Sequence, residues 1–189
     1  MSEFKVISPI YEQMCRFSHL GKEEWCGEIR YGKAPHIAPL AFLHQLYPPL
    51  TDDQIASMGE MIGNRIPEHL LKLYKECNGF HYFSDTLSID GLRLDGVAQP
   101  YGIEIPNVDE RLRDADDDII FFGGYTWDGS LVYTKDKDKR IYLCSPESSE
   151  PLKFWESIED FISQEATRIA ALFDSQGVPI DENKSTLPV

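Results

Sequence analysis

The spacing of apolar residues changes at Asn78-Gly79, and this change limits the possible folds more than any other feature of the sequence. Before it, apolar residues recur every three or four positions, as they do on one face of a helix. These residues are Ile55, Met58, Ile62, Leu70, Leu71, Tyr74 and Cys77. After it come short apolar runs separated by turn-forming residues, which predict strands. The order of helices, strands and a final helix predicts an α+β fold with a mostly antiparallel sheet.

The helix ends carry recognisable signals. Thr51 to Gln54 form a capping box, which predicts the start of a helix that ends at Gly63-Asn64. Pro67 lies at the start of the next helix, which Asn78-Gly79 ends because both residues tolerate a left-handed backbone. Ser157 predicts the cap of a long helix over 157–173. A further short helix is predicted over 36–47, from the spacing of Leu40, Leu43 and Tyr47.

Strands are predicted between these helices. The predicted strands span residues 80–83, 87–94, 119–122, 130–134 and 141–144. Asp128-Gly129 predicts a tight hairpin turn, and residues 106–112 predict a helical turn inside an irregular segment. We divide the chain into an N-terminal extension of unclear structure (1–45), an α+β domain (46–175) and a frayed tail (176–189).

The charge balance restricts the possible partners. Acidic residues number 32 and basic residues 18, giving a net charge of −14. Nucleic acids and anionic membranes both attract basic surfaces, so neither is expected as a partner. The densest acidic run is Asp114, Asp116, Asp117 and Asp118. This run is either a solvated loop or a patch that steers a basic protein partner toward the chain.

Aromatic residues lie at the predicted hairpin turn. Tyr125, Trp127 and Asp128 combine exposed rings with an acid, a combination common at the centre of protein interfaces. They are therefore candidate partner-binding residues together with the acidic run. The alternative is that Trp127 packs back onto the sheet.

The sequence contains none of the common nucleotide-binding, zinc-protease or serine-hydrolase motifs. Four residues could supply zinc ligands on paper, but their spacing fits no zinc finger or ribbon: Cys15, His19, Cys26 and His36. The acidic run lacks the glycine and distal glutamate of a calcium loop. We therefore expect no metal, no cofactor and no enzymatic activity. A small hydrolase that uses His81 with Asp85 or Asp90 is a third functional hypothesis.

The sequence also predicts the cellular location of the protein and the redox state of its cysteines. The first residues, Met1 to Val6, have neither the basic nor the apolar segment of a signal peptide, and no run of apolar residues is long enough to span a membrane. The four cysteines are far apart in the sequence and form no Cys-x-x-Cys pair. We expect a cytoplasmic protein without disulfides.

Residues 46–162 resemble the SUKH superfamily, which comprises bacterial toxin-immunity proteins and fungal regulators of cell-wall synthesis. The resemblance rests on the order and spacing of segments 47–51, 66–70, 74–80, 87–92, 122–130 and 141–143, followed by Trp155, Ile158 and Phe161. It implies an α+β binding scaffold without catalytic residues. In bacterial members the partner is typically a toxin domain, often a nuclease. We therefore predict an immunity protein that occludes a toxin, with an intracellular scaffold or regulatory protein as the alternative.

Overall fold

The structure, a computed structural model, describes residues 4–63 and 66–189. Within these ranges nine strands form one antiparallel sheet in which each strand pairs with the next one along the chain. The strands are β1 Lys22–Trp25, β2 Glu28–Lys33, β3 Phe42–Leu46, β4 Phe80–Tyr82, β5 Leu87–Ile89, β6 Ile119–Gly124, β7 Leu131–Lys135, β8 Asp138–Ser145 and β9 Ser148–Trp155. The helices are α1 Ser8–Arg16, α2 Asp52–Met61, α3 Glu68–Tyr74 and α4 Ile158–Ala170. The predicted α+β fold is confirmed.

The two faces of the sheet differ in how they are covered. The face that we call the core face packs against the four helices in one large apolar cluster, which includes Phe80, Tyr82, Ile89 and Phe122. The opposite face, called the second face below, carries a smaller apolar cluster of Ile119, Phe121, Tyr133 and Cys144. Residues alternate between the two faces along the strands, apart from the irregular positions in the pairings of β6 to β9.

The predicted helix caps are present. Thr51 Oγ1 accepts a hydrogen bond from the backbone N–H of Gln54 (3.3 Å), while Gln54 Oε1 accepts one from the N–H of Thr51 (2.9 Å). Ser157 Oγ accepts from the N–H of Asp160 (3.1 Å) at the start of α4. This helix is the longest described, although it ends at Ala170 rather than at residue 173. Of the predicted stop at Gly63-Asn64, Asn64 lies outside the described residues.

Asn78-Gly79 joins α3 to the sheet. The Asn78 side chain accepts from the N–H of Leu92 (2.8 Å) and donates to the carbonyl of the same residue (2.7 Å). Gly79 adopts φ +87°, and a Cβ there would lie 2.2 Å from the carbonyl oxygen of Ile89. Only glycine fits this position, because both the backbone conformation and the close approach exclude a side chain.

The helix predicted over residues 36–47 is wrong. Residues 42–46 form β3 instead, and Leu40 is 88% exposed in the turn before it. The three- and four-residue spacing is misleading here, because Leu40 is exposed and β3 lies between β2 and β4, where Leu43, His44 and Leu46 are all buried. A strand that is buried on both faces loses the alternation that would identify it.

The ends of the chain extend the sheet and cover α4. Of the extension 1–45, whose structure the sequence left open, the described residues contain α1, β1, β2 and most of β3, while β9 follows the predicted strands. In the C-terminal segment 176–189, which is predicted to fray, Thr186 and Leu187 contact α4. The Arg168 guanidinium donates to the carbonyls of Thr186 (2.7 Å) and Leu187 (3.4 Å).

Neighbouring leucines of α3 provide a test of this packing. Leu70 is fully buried in the main core, whereas Leu71 is only partly buried. Leu70→Ala should lower the free energy of unfolding by about 2–5 kcal/mol, because it leaves a cavity in the main core. Leu71→Ala, the matched control, should cost clearly less. Urea denaturation of both variants measures the difference, and equal losses would contradict the assigned helix face.

Candidate functional site

A row of polar side chains crosses the second face. Arg30, Gln45, His81 and Ser88 are successive cross-strand partners on β2 to β5, so their side chains share one face. The buried Glu28 carboxylate accepts from Gln45 Nε2 (2.6 Å) and forms an ion pair with Arg30 Nη2 (2.8 Å). This pair gives the buried carboxylate its counter-charge and thereby fixes one end of the row.

Besides the contacts of Glu28 with Arg30 and Gln45, this row contains a second group of hydrogen-bonded side chains around His81. Its Nδ1 lies 2.7 Å from Asp85 Oδ1, and the Tyr101 hydroxyl donates to Asp85 Oδ2 (2.8 Å). Burial alone would raise the pKa of Asp85, but the contacts with His81 and Tyr101 outweigh it and lower the pKa. Phe83, Ser84 and Asp85 all have positive φ values, which is a costly conformation for residues other than glycine.

This cluster bears directly on the hydrolase hypothesis. The structure pairs His81 with Asp85, as a catalytic dyad would require, and not with Asp90. However, His81 Nε2 is buried and has no hydrogen-bond partner among the described residues. A catalytic histidine must reach a nucleophile or a substrate with that second nitrogen. The geometry therefore favours a structural role, in which His81 holds Asp85 in place and packs against the Tyr101 ring, with 4.5 Å between the ring centroids.

Beyond the end of β5, two side chains form hydrogen bonds with the backbone of β6. The Asn107 amide donates to the carbonyl of Phe121 (2.7 Å) and accepts from the N–H of the same residue (3.0 Å). The Arg111 guanidinium donates to the carbonyl of Ile119 (3.2 Å). These contacts hold the segment 101–112, which includes a helical turn at Ile105–Asp109, against the edge of the sheet. The turn predicted over 106–112 is thus present, slightly earlier in the chain.

A cleft of about 370 Å³ lies between segment 101–112 and the β6–β7 hairpin. Its lining includes Ser88, Asp90 and Gly124 from neighbouring strands and Ser130 from the hairpin. Burial raises the pKa of Asp90 to about 8, and the negative charge of Glu104 adds to the shift. The backbone carbonyl of Asp90 accepts a hydrogen bond from the Tyr74 hydroxyl, and its backbone N–H donates to the Phe122 carbonyl. No described residue donates a hydrogen bond to the Asp90 carboxyl group.

The predicted acidic run lies at one end of β6. Asp114 accepts hydrogen bonds from the hydroxyl of Ser148 (2.7 Å) and the N–H of Ser149 (3.0 Å), which keep its pKa low. Asp116 forms an ion pair with Lys135 (3.1 Å). Asp117 and Asp118 are exposed. The structure therefore places all four acids at the surface, with Asp114 also tying β9 to the loop.

The predicted hairpin residues lie at the other end of β6. Trp127 is 45% exposed and lines a shallow groove with residues of the C-terminal segment. Asp128 is exposed, and its Oδ1 accepts from the N–H of Ser130 (2.8 Å), which shapes the turn. Tyr125 is buried, and its hydroxyl donates to Glu165 Oε2 (2.7 Å) on α4. Tyr125 therefore holds the hairpin to α4 and is not available to contact a partner.

The two groups of predicted residues are separated by the length of the strand. Six residues of β6 lie between them, which corresponds to roughly 20 Å. The cleft lies between the two groups, since its lining runs from Glu110 and Leu112 to Thr126 and Gly129. The second face thus offers acids at one end of β6 and a cleft in the middle, while the exposed Trp127 at the other end of β6 lies beside the C-terminal segment.

The four candidate zinc ligands occupy different elements. Cys15 is in α1, His19 follows it in a short 3₁₀ turn, and Cys26 and His36 lie in turns at either end of β2. Within residues 4–63 and 66–189, no three histidine, cysteine or acidic side chains are arranged to hold a metal ion. Nor does this part of the chain contain a helix long and apolar enough to cross a bilayer.

Sequence reasoning missed two residues of this site. The sequence presents Asp90 only as one of two possible partners of His81, and it assigns no role to Asn107. The alternation Leu87-Ser88-Ile89-Asp90 already carries a signal, because it places Ser88 and Asp90 on the face opposite to the core. The role of Asn107 has no comparable local signal, since its partner Phe121 lies 14 residues away.

The buried Asp90 predicts a gain in stability on substitution. A carboxyl whose pKa is raised in the folded state binds its proton more tightly there than in the unfolded chain. Stability therefore falls as pH rises from the ordinary carboxyl pKa to about 8. Asp90→Asn removes this penalty, so its melting temperature should exceed that of the unsubstituted protein at about pH 8, with the gain shrinking toward about pH 4.

Calorimetry across this pH range measures the effect. Asp136→Asn, in the exposed β7–β8 turn, is the matched control and should show no comparable pH-dependent gain. If Asp90→Asn is less stable than the unsubstituted protein at about pH 8, the Asp90 carboxyl group must have a stabilising partner, and this interpretation is wrong.

Comparison with known families identifies this architecture. None of the curated proteins compared with the chain matches it. Residues 49–164 match the model of the SMI1 / KNR4 family (SUKH-1), a range that includes β4 to β9, the cleft, the acidic run and the hairpin. The match confirms the resemblance noted from the sequence. Because it spans more than half of the sequence, the chain belongs to the SMI1 / KNR4 (SUKH-1) family.

Proposed function

We propose that the protein is a non-enzymatic binding module, specifically an immunity protein that neutralises a toxin by covering its active surface. The observation that carries this proposal is the exposed acidic run beside an open cleft on a SUKH scaffold. The resemblance implies that bacterial members of the superfamily bind toxins. We propose a nuclease toxin, because a nuclease needs a basic surface to hold nucleic acid.

Electrostatic steering would bring the two proteins together. The segment 104–118 contains seven acids and two arginines. Glu104 pairs with Arg93 and Asp116 with Lys135, but Asp109, Glu110 and Asp118 form no ion pair within the described residues. A surface with this excess of negative charge raises the rate of encounter with a basic protein. Bound over the nucleic-acid-binding surface, the module would exclude the substrate.

The exposed ring of Trp127 would supply the lasting contact. Large aromatic side chains that become buried at an interface carry a disproportionate share of the binding free energy. Trp127 lies at the opposite end of β6 from the acids, so the two can act independently. All four cysteines are free, which supports action in a reducing compartment such as the cytoplasm.

A regulatory role with an endogenous partner is the second candidate. It is supported by the same family, since the SUKH superfamily also includes fungal regulators. Affinity capture from the native host, at low and then at high salt, would supply the partner for a test. The immunity proposal predicts a basic protein that stops growth when it is expressed alone and is harmless when co-expressed with this chain. A partner that is harmless alone would overturn the immunity role in favour of regulation.

Binding kinetics with the captured partner should separate the two kinds of contact. Asp117→Asn/Asp118→Asn should lower the association rate, and this loss should shrink as salt shortens the Debye length from about 30 Å at 0.01 M to about 8 Å at 0.15 M. Trp127→Ala should instead raise the dissociation rate by roughly 30-fold, equivalent to about 2 kcal/mol.

The control removes two charges from the helical side of the protein. Asp53→Asn/Glu60→Gln on α2 leaves the second face unchanged and should alter neither rate appreciably. An unchanged association rate in the Asp117/Asp118 variant at low salt would contradict steering by the acidic run.

A further inference from the structure

We propose that the cleft receives one cationic side chain, lysine or arginine, from the bound partner, and that Asp90 is its counter-ion. This inference rests on the proposed binding function and assigns a specific contact to it. It adds a buried anchor point between the acidic run and Trp127, where the sequence suggested none.

Two polar side chains of the cleft have no hydrogen-bond partner within residues 4–63 and 66–189. Asp90 is only 7% exposed and lines the cleft, yet no described residue donates a hydrogen bond to its carboxyl group. Ser130 is fully buried and lines the same cleft, and its Oγ has no hydrogen-bond partner among the described residues. Leaving such groups unsatisfied is costly, so their presence in one cavity points to a ligand that completes them.

The shape and lining suit the two parts of a basic side chain. Ile105, Pro106, Leu112 and Leu131 are apolar wall residues, which match the methylene stem of lysine or arginine. The carboxyl group of Asp90 matches the charged head. The cleft volume of about 370 Å³ is near the lower end of typical ligand sites, so it fits a single side chain better than a large cofactor.

The surrounding charge selects a cation. Glu110 also lines the cleft, and the negative charge of Glu104 is close enough to affect Asp90. The nearby Arg93 is paired with Glu104 and so already has an acidic partner. An anion would be repelled by Glu104 and Glu110, whereas a cation would stabilise the charged form of Asp90, which burial makes costly.

The cleft leaves room for a side chain partly because of Gly124. This residue is the cross-strand partner of Ser88, so a side chain there would extend into the cavity. A Cβ at Gly124 would also lie 2.7 Å from the carbonyl oxygen of Ser130. The glycine therefore serves both the close packing of the hairpin and the open volume beside Asp90.

Capped amino acids provide a direct test with the isolated protein. N-acetyl-arginine methylamide and N-acetyl-lysine methylamide are titrated while the backbone amide signals are followed by NMR. At least one should give saturable shifts centred on Ser88, Asp90, Gly124 and Ser130. N-acetyl-norleucine methylamide, which keeps the stem but lacks the charge, should bind at least about tenfold more weakly.

Two variants complete the design. Asp90→Asn preserves the shape of the side chain and should weaken cation binding by about tenfold or more, while norleucine binding stays unchanged. Ser130→Ala should have a smaller effect in the same direction. The amide spectrum of each variant reports whether it is folded.

Three results would overturn the proposal: no saturable shift at the cleft with either cation, equal binding of norleucine, or undiminished cation binding to Asp90→Asn. These results are independent of the proposed function, because the probes need no partner protein. If the cleft fails this test while a captured toxin is neutralised, the immunity role stands without this contact. If the cleft binds cations but the captured partner is not toxic, only the immunity role fails.

Discussion

The functional face depends on how β6 satisfies its backbone beyond the short strand β5. β5 has only three residues, so the N–H and C=O groups of Phe121 need another partner inside the protein. The Asn107 amide supplies both, and Arg111 covers the carbonyl of Ile119. These bonds fix segment 101–112, and with it one wall of the cleft and the entry to the acidic run. The sheet edge is closed at the same time, which protects it from pairing with other chains.

Asn78 forms the same kind of side-chain to backbone contact after the end of α3. Its amide pairs with the N–H and C=O of Leu92, just as Asn107 pairs with those of Phe121. In both places a side chain replaces a missing strand residue, and both amides are buried. Removing either would leave two backbone groups without partners, a cost of about 1–3 kcal/mol for each group. The position of the cleft therefore rests on buried polar contacts as well as on the apolar core.

Local chemistry explains which parts of the fold the sequence predicted. The capping box at Thr51, the Ser157 cap and the apolar spacing are properties of neighbouring residues, so α2, α3, α4 and the strands β4 to β8 could be predicted. The edge strands β1 and β9 were missed because edges are polar, and β9 even contains Pro151. The acidic run and Trp127 could be found because the residue types and their positions in the sequence are sufficient to identify them. The burial of Tyr125 and the unpartnered Asp90 depend on contacts between distant segments, and no local pattern reveals these.

In the proposed complex, the partner covers the acidic run, the cleft and the hairpin along the length of β6. Hydrogen exchange of the protein, alone and in complex with its captured partner, tests this claim most directly. We expect added protection in residues 88–90, 101–118 and 124–131, with little change in α2 and α3. Protection confined to α2 and α3, or to β1 and β2, would contradict the account and place the interface elsewhere.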